Sequence, residues 1–138
     1  MCALIIWGIR RLWPEMGIFI PGRRAIYWTL LGFGLLVMVA GILEFRKART
    51  TVNPMKPHDA SALVTGGIYR FTRNPMYVGD VLILLAVAVF FSNPLGLAGV
   101  ALFVVWMDAL QIPAEERALR ARFGEAYDRY CLEARRWL

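Results

Sequence analysis

Two short runs in this chain combine residue types that can hold a charged ligand, Arg73-Asn74-Pro75 and Glu115-Glu116. Asn followed by Pro reads as a helix N-cap with proline at the first helical position. Such a start offers unpaired N–H groups and a partial positive charge, a seat for a carboxylate. Arg73 stands immediately before it, and its fixed charge and forked donors suit an anionic group. Position alone favours reading Asn74 as a plain cap and Arg73 as a membrane-surface anchor. Glu115 and Glu116 occupy the first turn after Pro113, where the helix dipole favours acids without any ligand. In the functional reading, one carboxylate meets a cofactor's ammonium or ribose hydroxyls and the other orients a substrate.

Other chemistry-bearing residues say less. Tyr69, Arg73 and Tyr77 recur at four-residue spacing, but Pro75 restricts Asn74 and argues against one continuous helical face. Cys2 and Cys131 lack the spacing of a metal site or a disulfide framework, so no metal is expected. His58 is a lone loop histidine, expected to be solvated. Asp80 and Asp108 each lie in an apolar run, and ionisable groups in membrane helices usually face the bundle interior or water.

The elements that position these residues follow from composition. The chain has 138 residues, 59% hydrophobic, with a mean hydropathy of +0.52; soluble domains carry roughly 45–50% apolar residues. At ~20 residues per span, three or four membrane helices fit and a separate soluble domain does not. The net charge of +6 sits beside apolar segments rather than on a basic face, so no nucleic-acid partner is expected. Residues 1–22 form an apolar stretch interrupted by Arg10, Arg11, Pro14 and Glu15, expected as a partial or interfacial helix. It lacks a cleavage site and is expected to be retained. Residues 25–43 carry no charge and read as a transmembrane helix. Residues 45–74 are a polar loop or re-entrant segment. The runs 76–91 and 95–112, joined by Ser92-Asn93-Pro94, predict a tight transmembrane hairpin over 75–112. Ile112-Pro113 restarts a helix. Over 113–138, Leu119, Phe123, Tyr127, Tyr130 and Ala134 share one face of an amphipathic helix supported by Glu116/Arg120 and Glu125/Arg129 pairs. The expected fold is therefore all-α, a single multi-pass transmembrane domain with a C-terminal amphipathic helix. Arg46, Lys47, Arg49, Lys56, Arg70 and Arg73 in the loop and a similarly basic tail put both segments, and the site, on the cytoplasmic face.

The run from Leu63 to Gly79, LVTGGIYRFTRNPMYVG, resembles the signature of isoprenylcysteine carboxyl methyltransferases and of the related phospholipid methyltransferases. The block from Glu115 to Tyr130, EERALRARFGEAYDRY, is similar to the tail of that family in order and separation. The resemblance covers residues 45–138. It implies S-adenosylmethionine at the cytoplasmic face, closed over by the tail. Carried over by position, its contacts are Ser61, Ala62, Leu63 and Val64, then Tyr69, then Asn74, Pro75, Met76 and Tyr77, and finally Glu115. Arg73 and Glu116 are then nearest the transferred methyl, as catalytic residues. Three positions depart from the pattern: Ser61 and Asn74 stand where those enzymes usually have His, and Gln111 where they place a substrate-recognising Arg. Asn74 still caps and hydrogen-bonds, but Gln111 leaves an anionic prenylcysteine carboxylate without a partner and points to a different acceptor.

The expected activity is methyl transfer to a hydrophobic or lipid-like acceptor that enters from the bilayer, with alignment and water exclusion as the main tasks. A carboxylate acceptor needs no general base; an amine must lose a proton, to Glu116 or Asp80. Two other readings stay open at this point. One is an NADPH-dependent membrane reductase of the sterol-reductase type; the other is a non-catalytic membrane adaptor in which Arg73 is an anchor and Glu115-Glu116 a helix start.

Overall fold

The computed structural model describes residues 7–8, 11, 19–49, 61–92 and 94–138. Most of the segment 1–22, and His58 in the loop, lie outside these. Among the described residues all regular structure is helical, and the one extended pairing is an isolated parallel bridge between Thr72 and Arg135.

Helix α1, Arg23–Lys47, runs beyond the expected 25–43 at both ends. Charged residues mark where hydrophobicity stops, not where a helix must stop, since Arg, Lys and Glu are good helix formers. Arg46 and Lys47 in the last turn also suit the negative end of the dipole. A short 3-10 turn, Gly67–Arg70, precedes helix α2, Pro75–Phe91. Helix α3, Gly96–Trp106, continues through a π-helical turn, Met107–Gln111, into helix α4, Ile112–Phe123.

The helix therefore does not restart at Pro113 but runs unbroken for 28 residues, Gly96–Phe123. Proline removes one backbone donor and crowds the carbonyl of the preceding turn. The π turn, in which the Ile112 N–H bonds the Met107 carbonyl, widens the coil just before Pro113 and accommodates the ring. The expected single helix over 113–138 is also divided. Gly124 has φ +51°, a region that favours glycine, and it separates α4 from helix α5, Glu125–Glu133. Beyond it, Ala134–Leu138 is an extended strap.

Helix α2 lies between α1 and α3. A Cβ on Gly79 would stand 2.8 Å from the Gly34 carbonyl oxygen, and one on Gly34 would stand 2.9 Å from that of Gly79. Only glycine on both sides allows this approach. On its other face α2 packs through Leu84 against Val100 of α3. At the far end, Arg23 Nη1 donates to Ser92 Oγ at 2.9 Å, tying the start of α1 to the end of α2.

Helix α1 and the Gly96–Phe123 run are long and apolar enough to cross a membrane. Helix α1 buries only Gly34, Val37 and Gly41, while Trp28, Phe33, Leu36 and Val39 are exposed. Helix α2, with 17 residues, is shorter than a typical ~20-residue span.

Candidate active site

The end of α1, the loop before α2, the first turn of α2, helices α4 and α5 and the strap meet at one end of the molecule. Val64, Tyr69, Tyr127, Tyr130 and Ala134 form a buried cluster there, with Leu63, Leu119 and Phe123 packed against it. The residues expected on one face of the C-terminal helix thus converge here, although they come from two helices and the strap. Tyr130 Oη donates to the Tyr69 carbonyl at 2.8 Å. Burial pushes both phenols well above the usual tyrosine range.

Arg73 is fixed by three acceptors. Its Nη1 donates to the Cys131 and Ala134 carbonyls at 3.0 and 2.9 Å, and its Nη2 to Glu116 Oε1 at 3.1 Å. A guanidinium on the last carbonyls of α5 satisfies orphan acceptors and complements the dipole. Its Nε is buried with no hydrogen-bond partner, a donor that costs about 1–3 kcal/mol to leave unmet. A ligand oxygen would offset that cost.

Glu116 also accepts from Arg136, with Nε on Oε1 at 3.1 Å and Nη2 on Oε2 at 2.7 Å. Arg136 Nη1 further donates to Asp108 Oδ1 at 3.1 Å, which Trp137 Nε1 reaches at 3.2 Å. The hydrogen bond to Glu116 is the main reason the Arg136 guanidinium lies above its ordinary value. The expected Glu116/Arg120 pair does not form. Glu116 gives both oxygens to Arg73 and Arg136, and Arg120 pairs with Asp128 at 2.7 Å.

Glu115 Oε1 accepts from Tyr77 Oη at 2.5 Å and from Gln111 Nε2 at 2.7 Å. Its Oε2 carries no bond to a described residue. Gln111, expected to meet the substrate, is thus bonded to Glu115, one helical turn along.

Asn74 occupies the N-cap position of α2 without making a side-chain cap. Its Nδ2 donates to the Arg136 carbonyl at 2.9 Å, while its backbone N–H goes to Thr72 Oγ1 at 3.1 Å. Pro75 is fully buried and, with Met76, packs against Gly41 of α1. Ser61 Oγ donates to the Arg49 carbonyl at 3.2 Å in an exposed position, and Ala62 is half-buried. Val64 lies in the core with Tyr69, and Leu63 packs against it.

Residues 23–126 match the phospholipid methyltransferase family. The chain belongs to that family. Among relatives of this methyltransferase family, it is 30% identical over 120 residues to protein-S-isoprenylcysteine O-methyltransferase A of Arabidopsis thaliana, covering 82% of this chain and 60% of the relative. It is 31% identical over 117 residues to protein-S-isoprenylcysteine O-methyltransferase of Xenopus laevis, covering 80% and 40%. An uncharacterized protein of Haemophilus influenzae is 41% identical over 63 residues, which is 46% of this chain and the whole of that one. The chain thus spans about 60% of the length of the plant relatives. No solved structure matches it. Sequence reasoning assigned no place in the site to Arg136 or Thr72, and read Trp137 as part of an interfacial aromatic belt. Arg135-Arg136 reads there as two more positive-inside charges, and nothing local ties Arg136 to Glu116, 20 positions away.

Proposed function

We propose that this protein is a membrane methyltransferase that uses S-adenosylmethionine to methylate a hydrophobic, lipid-like or prenylated acceptor at the cytoplasmic face. The observation that carries this reading is the pairing, in a member of a methyltransferase family, of Arg73 at the start of α2 with Glu116, beside Glu115 on α4. When bound, S-adenosylmethionine supplies a methyl group on a sulfonium, an electrophile that needs no metal. The residues present fit that group. Glu115 has one oxygen anchored by Tyr77 and Gln111 and the other open to an ammonium or ribose hydroxyl, and the unmet Arg73 Nε suits a carboxylate. Ser61 to Val64, Tyr69 and the Asn74–Tyr77 segment complete the proposed cofactor wall, with Pro75 and Met76 shaping it from behind.

Held in place by the surrounding helices and strap, these side chains act by alignment and by excluding water, which together remove several kcal/mol from the barrier. Glu116, engaged by two guanidinium groups, serves to fix Arg73. Gln111 is a neutral amide bonded to Glu115, and it offers no fixed charge to an anionic acceptor.

The topology belongs to the same proposal: α1 spans, α2 and α3 form the 75–112 transmembrane hairpin, and α4, α5 and the strap lie at the cytoplasmic surface with the basic loop. Exposed apolar side chains such as Trp28, Leu36, Leu102 and Val105 then face lipid. Isothermal calorimetry with S-adenosylhomocysteine on protein in lipid nanodiscs tests the reading, alongside mass spectrometry of lipid extracts incubated with deuterated-methyl cofactor. Binding plus a labelled lipid product is expected. Absence of cofactor binding sinks the proposal.

A further inference from the structure

We propose that Arg136 is a positioning residue of this site: carried by the C-terminal strap, it grips both oxygens of Glu116 and sets that carboxylate against Arg73. The inference rests on the methyltransferase reading above but assigns a role to Arg136, which lies outside both sequence motifs.

Three features of the geometry carry it. First, the contact with Glu116 is a fork, with Nε and Nη2 on separate oxygens. A fork fixes the plane of a carboxylate where a single bond would let it turn. Second, Glu116 is the shared acceptor of Arg73 and Arg136, so the orientation of one guanidinium is set through the other's partner. Third, Arg136 is itself held at both ends. Its carbonyl accepts from Asn74 Nδ2 at 2.9 Å, and its Nη1 and the Trp137 indole share Asp108 Oδ1. One residue earlier, the Arg135 carbonyl accepts the Arg73 N–H at 2.8 Å. The strap is therefore bonded to the start of α2, to the π turn and to α4 at once. Removing the guanidinium of Arg136 frees Glu116 to rotate and leaves Asp108 without its ion pair, while the backbone bonds to Arg73 and Asn74 persist.

The test is steady-state kinetics of Arg136→Ala and Arg136→Lys on the full chain in nanodiscs, with amide hydrogen exchange on the same samples. A misplaced catalytic group costs on the order of 10- to 100-fold. We expect Arg136→Ala to lose that factor in kcat, with KM for S-adenosylmethionine within about threefold. Arg136→Lys keeps the charge but not the fork, and recovers part of the loss. Glu116→Gln combined with Arg136→Ala loses little more than Glu116→Gln alone, because the two act through one contact. Exchange over 134–138 quickens in Arg136→Ala, while exchange in α2 does not. Unchanged kcat in Arg136→Ala overturns the proposal, and so do additive losses in the double variant or an unchanged exchange pattern. A wild type that binds no cofactor overturns the underlying reading, and the positioning role falls with it; exchange still reports in that case whether Arg136 fastens the strap.

Discussion

Replacing Tyr77 with Phe removes one hydroxyl and keeps the ring that packs beside it, so its effect isolates the bond to Glu115. That hydroxyl donates to Glu115 Oε1 at 2.5 Å, and Gln111 Nε2 donates to the same oxygen at 2.7 Å. A hydrogen bond to a charged group contributes about 1.5–3 kcal/mol. Because Gln111 still holds the oxygen, the loss falls at the low end, about 1.5 kcal/mol, which is roughly tenfold in affinity. Gln111→Leu should cost a similar factor, and the double variant more than either, because Glu115 then has no anchor. The assay is calorimetric titration of S-adenosylhomocysteine into each variant in nanodiscs, with Glu115→Gln as the reference for complete loss of the carboxylate. If Tyr77→Phe binds within twofold of wild type while Glu115→Gln does not bind, the phenol does not position the carboxylate. If both bind normally, Glu115 is not a cofactor contact and the site assignment is wrong.

Gly79→Val places side-chain atoms where a carbonyl of α1 already lies 2.8 Å from the Cβ position. A backbone oxygen cannot swing aside, so the helices separate, at about 1–3 kcal/mol, read as a lower Tm in detergent. Gly34→Val meets the same contact from the other side, so the double variant should lose less than the sum. Tyr130→Phe leaves the buried Tyr69 carbonyl without its donor and should lower stability by about 1–2 kcal/mol with cofactor affinity reduced only through loosening of the loop. Asp128→Asn breaks the exposed Arg120 pair and should leave the Tm unchanged, because solvent screens it.

What could be read in the sequence, and what could not, divides along the range of the forces involved. Hydropathy located the apolar core of α1 and the two arms of the hairpin, because burial in lipid or protein acts on runs of residues. It missed the ends of α1, where charged residues continue the helix past 43 to Lys47. Pro113 reads as a helix start in any local scheme. Only the π turn before it, invisible in residue types, lets the helix run through. Gly124 inside a helical pattern was the one sequence signal for the α4–α5 break, and the continuous apolar face of Leu119, Phe123, Tyr127 and Tyr130 concealed it. At the site, Arg73, Glu115 and Glu116 were legible as types in suggestive places. Their partners were not, since Asn74 and Glu116 are joined by a strap 62 and 20 positions distant.

The same contacts change what Glu116 can do. A carboxylate near the transferred methyl reads in sequence as a proton acceptor for an amine. In the structure Arg73 donates to one of its oxygens and Arg136 to both. In the proposed mechanism its task is to keep Arg73 in place. For an acceptor that attacks through an oxygen or sulfur anion, no base is required and this arrangement suffices. For an amine, the proposed mechanism needs a separate route for the proton.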